Sequence, residues 1–93
     1  MYNKFMSYYV YVLINPENKI YIGQTNDLER RLSQHNNLEF KGTLHTKRHK
    51  GPWKVVYSEI YATRSEAMLR ERQLKTSKAR RILRERINQN GGC

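Results

Sequence analysis

The hydrophobic pattern of the chain changes period within KIYIGQTNDLERRL, residues 19 to 32. Lys19 to Gly23 alternates polar and apolar positions as a strand does, whereas Leu28 and Leu32 stand four apart, as on one face of a helix. Upstream, residues 8 to 15 are again rich in Tyr, Val and Ile, and NPENK separates the two runs, which predicts a β-hairpin. Pro16 suits the first central position of a type I turn, and Asn18 tolerates the left-handed conformation that closes a three-residue loop with a bulge. Such a loop pairs Asn15 with Lys19. Counting inward sets Tyr11 opposite Gly23 and Leu13 opposite Tyr21, with Tyr9, Tyr11, Tyr21 and Gly23 on one face of the sheet. A two-residue loop would shift the register by one and part Tyr11 from Tyr21.

The helix after the hairpin is predicted to be capped by Asn26, with Glu29 reaching back and Asp27 complementing the dipole, and to run to about Asn36. Residues 36 to 52, with Gly42, Gly51 and Pro52, form a long basic connection of the kind that often binds a ligand. Trp53 to Tyr61 is a third strand by its β-branched and aromatic content. Thr63-Arg64-Ser65-Glu66 is a capping box opening a second helix, and Ser77 caps a third that carries Ile82, Leu83 and Ile87. The order β-β-α-β-α-α is an α+β layout, a small antiparallel sheet flanked by helices.

At 93 residues the chain is expected to be one domain with a thin core, its folded part spanning about residues 7 to 84 and residues 88 to 93 forming a frayed tail. Eighteen Lys and Arg against eight Asp and Glu give a net charge of +10, which favours a polyanionic partner, nucleic acid before an anionic membrane. YYVYVLI is too short to span a membrane and lacks the features of a signal peptide, so a cytoplasmic location is expected. Cys93, the single cysteine, forms no internal disulfide and completes no metal-ligand spacing.

On a helical wheel Leu28, Leu32 and His35 form one stripe, with Arg31 at its edge and Arg30 on the far side. Arg31 therefore lies beside the sheet, where its stem either covers the core edge or its head is aimed at a ligand. On the second helix Ala67, Met68 and Leu74 define an apolar arc, and Glu71 projects into its middle. A carboxylate out of water needs a partner, either an arginine or Mg²⁺, which accepts one or two carboxylates with waters and phosphate oxygens. Tyr8, Tyr57 and Tyr61 are explained by strand propensity. His45 and His49, four apart, are too few for a metal site and belong with Lys47, Arg48 and Lys50 in a phosphate-contacting loop.

Tyr9-Val10-Tyr11, Tyr21-Ile22-Gly23, Arg31, His35 and Glu71, in this order and spacing, resemble the GIY-YIG nuclease superfamily, most nearly its small stand-alone bacterial members. Thr46, Arg48 and Pro52-Trp53 also resemble that subgroup, and the likeness runs from about Tyr8 to Leu83. The resemblance implies a three-stranded antiparallel sheet and a metal-dependent phosphodiesterase site on one of its faces. It makes Tyr11, Tyr21, Arg31, His35 and Glu71 the catalytic set, Glu71 the ligand of Mg²⁺ or Mn²⁺, and Gly23 the motif glycine. Gly23, Arg30, Thr46, Lys47, Arg48 and Lys50 are the expected nucleic-acid contacts. Two positions depart from the pattern: Tyr9 replaces the first motif glycine, and Gln24 stands where some DNA-repair relatives carry lysine.

The expected function is hydrolysis of DNA, in preference to RNA, by a monomer acting in repair, recombination or processing, with docking through the basic helices and residues 41 to 50. A tyrosine, Tyr11 ahead of Tyr21, takes the proton from water or orients it, and acting as a base requires nearby cations to lower its pKa. The alternatives are a non-catalytic nucleic-acid-binding module of the same fold, and a partner-dependent subunit whose basic surface meets an acidic protein. Retention of Tyr11, Tyr21, Arg31 and Glu71 together favours the enzyme.

Overall fold

The computed structural model describes residues 7–37 and 51–91, with side chains described as far as Asn88. Strands β1 (Tyr8–Ile14) and β2 (Ile20–Thr25) form the hairpin, closed by hydrogen bonds from Asn15 N to Lys19 O at 3.1 Å and from Asn18 N to Asn15 O at 3.0 Å. Asn18 adopts φ 63°, the left-handed conformation that the turn requires. Asn15 adds a second tie, because its Oδ1 accepts from the backbone N–H groups of Glu17 and Lys19 at 3.0 and 2.8 Å. With the turn so determined the register follows, and Tyr11 faces Gly23 and Leu13 faces Tyr21.

The chain continues through α1 (Leu28–Asn36), β3 (Lys54–Tyr61), α2 (Arg64–Leu74) and α3 (Ser77–Gly91). β3 pairs antiparallel with the free edge of β1, giving the sheet order β2-β1-β3, with a register shift between Val12 and Leu13. The α+β fold is that expected from the sequence. As the central strand, β1 is covered on both faces, and Val10, Tyr11, Val12 and Leu13 are almost wholly buried.

Strand alternation divides the core in two. Val10, Val12 and Ile14, with Ile20 and Ile22 of β2, pack against Ala67 and Leu74 of α2 and Leu83 of α3. On the other face Tyr11 and Leu13 join Trp53, Tyr21 and the α1 leucines Leu28 and Leu32. The sheet therefore lies between α1 on one side and α2 with α3 on the other. No helix among the described residues is long and apolar enough to cross a membrane.

Element ends differ from the sequence expectations for local reasons. The cap of α1 is Asp27, whose side chain accepts from Arg30 N at 3.1 Å, and not Asn26. Thr25 decides between them, since its Oγ1 accepts from Asp27 N at 3.1 Å and turns that residue into the cap position. β3 begins at Lys54 because the backbone N–H and C=O of Trp53 are both taken by the Asn36 amide. The Thr63–Glu66 capping box forms as expected. For α3 it is the Thr76 hydroxyl, one residue before Ser77, that accepts from Ala79 N at 3.3 Å. Met68, placed in the buried arc of α2 by the wheel, is 42% exposed.

Candidate active site

On the α1 face of the sheet, hairpin pairing brings Tyr11 and Gly23 side by side. A Cβ on Gly23 would lie 2.7 Å from the Tyr11 hydroxyl oxygen and 3.0 Å from Tyr21 Cε2, so glycine is needed here for space, its φ being negative. The rings of Tyr11 and Tyr21 are 6.2 Å apart, and His35 of α1 closes the group, 4.6 Å from the Tyr21 ring and 5.9 Å from that of Tyr11. Tyr11 Oη and His35 Nε2 share a hydrogen bond of 3.0 Å within the buried interior.

The paired arginines part as the wheel requires: Arg30 is exposed and Arg31 half-buried. Arg31 donates through Nη1 to Gln34 Oε1 at 2.8 Å. Burial pushes the Tyr11 hydroxyl well above an ordinary phenol, and Tyr21 adds to the rise. The Arg31 guanidinium acts in the opposite direction without reversing it, and the Glu71 carboxylate adds to the rise. Tyr11 is therefore a neutral hydroxyl at ordinary pH, able to donate and accept, and the cation that the sequence reading required to lower its pKa does not suffice.

Glu71 comes from α2. It is half-buried, 21% exposed, with Oε2 at 2.8 Å from Lys75 Nζ. Its protein partner is thus a lysine one turn on, where the sequence left open an arginine or Mg²⁺. Arg70 is unavailable because its guanidinium forks onto Glu59 of β3, with Nε to Oε1 at 2.9 Å and Nη2 to Oε2 at 3.0 Å. Among the described residues no group of three His, Cys, Asp or Glu side chains is placed to hold a metal ion. Glu71 is a single, half-open carboxylate, and this suits Mg²⁺, which keeps most of its waters and needs few protein oxygens.

Of the other sequence candidates, Thr46, Lys47, Arg48 and Lys50, together with His45 and His49, lie outside the described residues. Two features escaped sequence reasoning. Asn36, treated as a helix end, accepts from Trp53 N at 2.7 Å and donates to Trp53 O at 3.0 Å, tying α1 to the start of β3. Tyr57 and Tyr61, assigned to propensity alone, both donate to Glu59, to Oε2 and Oε1 respectively, and their i, i+2, i+4 spacing on one strand was the available signal. Gln24 Oε1 is buried and has no hydrogen-bond partner among the described residues.

Comparison with known proteins places residues 7–88 in a match to the GIY-YIG catalytic domain. A UPF0213 protein of Staphylococcus haemolyticus is 39% identical over 69 residues, 74% of this chain and 80% of the relative. One from Staphylococcus aureus is 35% identical over 83 residues, 86% of this chain and 98% of the relative. The solution NMR structure of a UPF0213 protein from Bacillus halodurans superposes with a TM-score of 0.52 at 31% identity, covering 94% of this chain and 88% of that one.

Proposed function

This chain belongs to the GIY-YIG catalytic-domain family, a nuclease superfamily, and we propose that it is a Mg²⁺-dependent endonuclease hydrolysing phosphodiester bonds in DNA, in repair, recombination or processing. The observation that carries the reading is the convergence on one buried hydroxyl. Tyr11 meets His35, is admitted by Gly23, and lies on the sheet face covered by α1, the helix that carries Arg31.

Each residue then has a task that its surroundings suit. Arg31, steadied at one nitrogen by Gln34, offers its planar fork to the scissile phosphate and balances the charge that develops there. Tyr11, neutral and already hydrogen-bonded, orients the attacking water, and His35, at the other end of that hydrogen bond, receives the proton. Tyr21 packs against His35 and holds the ring in place. Glu71 would hold Mg²⁺ or Mn²⁺, which when bound stabilises the leaving oxygen. The net charge of +10 draws the protein to a polyanion, with Arg30, Thr46, Lys47, Arg48 and Lys50 among the side chains assigned to contact it. The protein acts in the cytoplasm as a monomer, with targeting supplied by a separate partner.

The test is incubation with supercoiled, branched and single-stranded DNA, in Mg²⁺ or in chelator, of wild type, Arg31→Ala and Glu71→Gln. Wild type is expected to cut at least one substrate in Mg²⁺ alone, and each variant to cut it at least about 100-fold more slowly. Equal cutting by all three, or none by wild type on any substrate, rejects the assignment.

A further inference from the structure

The density of positive charge on α3 has no part in the tyrosine site. Between residues 72 and 86 stand Arg72, Lys75, Lys78, Arg80, Arg81, Arg84 and Arg86 against a single acid, Glu85. The five cations that lie on α3 are all exposed, and none takes part in an ion pair among the described residues. Two of them are instead held by neutral backbone oxygens. Arg80 donates through Nε to Lys75 O at 3.1 Å, and Arg84 through Nη1 to Asn18 O at 2.7 Å, in the left-handed turn of the hairpin. A carbonyl fixes the guanidinium without neutralising it, and the remaining N–H groups stay free to donate.

The spacing also fits a phosphate backbone. Arg80 and Arg84 are four residues apart on α3, about 6 Å along its axis, close to the roughly 7 Å that separates alternate phosphates of one duplex strand along its axis. Beyond Arg84 the surface opens into a groove of about 430 Å³ between Pro16 and Asn18 of the hairpin turn, Pro52 and Lys54 before and at the start of β3, and Ile87 and Asn88 of α3. Lys54 adds a cation there from a third element. An amphipathic membrane-surface helix needs a free apolar face, whereas the apolar face of α3, Ala79, Leu83 and Ile87, is already packed on the sheet.

We infer that α3 and the hairpin turn form a second nucleic-acid-backbone surface, on the face of the sheet opposite the tyrosine site, that holds a segment of substrate other than the one being cut. The inference rests on the reading of the partner as nucleic acid. It assigns α3 to anchoring. The segment on α3 reaches the tyrosine site only round an edge of the sheet, because α3 packs on the Val10 and Val12 face and Tyr11 on the other.

The experiment is fluorescence anisotropy of a labelled DNA duplex in chelator across a salt series, with wild type, Lys78→Gln/Arg81→Gln and Arg80→Gln/Arg84→Gln. Each double variant is expected to lower the slope of log affinity against log salt by about two and to weaken binding about ten-fold or more at moderate salt. Lys78 and Arg81 make no hydrogen bond or ion pair among the described residues, so loss of fold cannot mimic the effect in the first variant; thermal melts check the second. Slopes equal to wild type in both variants, or no DNA binding by wild type, overturn the inference. So does loss of binding to phosphatidylserine vesicles with DNA binding unchanged, which marks the surface as a membrane contact. Lowered slopes without cleavage by wild type retain the α3 surface and reject the nuclease reading, whereas cleavage with unchanged slopes does the reverse.

Discussion

The hydroxyl of Tyr11 fills the space that a side chain on Gly23 would need, with its oxygen 2.7 Å and its Cζ 2.9 Å from the position of a Cβ there. Tyr11 is 1% exposed and hydrogen-bonded to His35, so it has nowhere to retreat. Gly23→Ala is expected to destabilise the fold by about 1–3 kcal/mol through overpacking. Adding Tyr11→Phe, which removes the nearer of the two clashing atoms, should recover part of that loss. Denaturant unfolding of the two variants measures both effects, and a Gly23→Ala protein as stable as wild type contradicts the packing described.

Asn36 joins α1 to β3 by giving and accepting one hydrogen bond each with the backbone of Trp53, itself 2% exposed. Asn36→Asp keeps the acceptor for Trp53 N–H but sets a carboxylate oxygen against Trp53 C=O. A loss of about 1–3 kcal/mol in denaturant unfolding is expected, with Asn36→Ala similar. Because His35 is the preceding residue, the same variants should also disturb the Tyr11–His35 hydrogen bond, read as a change in tyrosine fluorescence.

What the sequence made legible was whatever local chemistry decides. The hairpin register followed from Pro16 and Asn18, and the parting of Arg30 from Arg31 followed from helical period. Adjacent candidates of equal propensity could not be separated, as with Asn26 and Asp27, where a Thr25 hydroxyl tips the balance. A wheel also cannot report how wide a partner surface is: the sheet has three strands and covers a narrow arc of α2, which leaves Met68 exposed. The partner of Glu71 was beyond reach for a different reason. It depends on Arg70 being occupied by Glu59, eleven residues earlier and on another element.

Glu59 gives the fold a pH dependence. Burial by itself would raise its carboxyl, but hydrogen bonds from Arg70, Tyr57 and Tyr61 more than offset this and hold it down to about 2, below the ordinary value of 4.5. Above that ordinary value the group is ionised in both folded and unfolded chains, and its contribution to stability is fully present. As pH falls from about 4.5 toward 2, the unfolded chain takes up the proton first and the contribution is lost. Stability measured across this window should fall less steeply in Glu59→Gln than in wild type. Parallel curves would show that the network carries no linkage.

The elevated Tyr11 hydroxyl separates two roles that the site leaves to its aromatic residues. If Tyr11 acted as the base in its ionised form, cleavage would climb with pH through the phenol range, about pH 8 to 10, and Tyr11→Phe would abolish the climb. Burial opposes that ionisation, so the expectation is different. Activity should instead stay level through that range, the Tyr11 hydroxyl remaining protonated. Tyr11→Phe should keep that level profile at a rate lowered about 10- to 100-fold, because only the orienting hydroxyl is gone. A climb through the phenol range that disappears in Tyr11→Phe and persists in His35→Gln would return the base to the tyrosine.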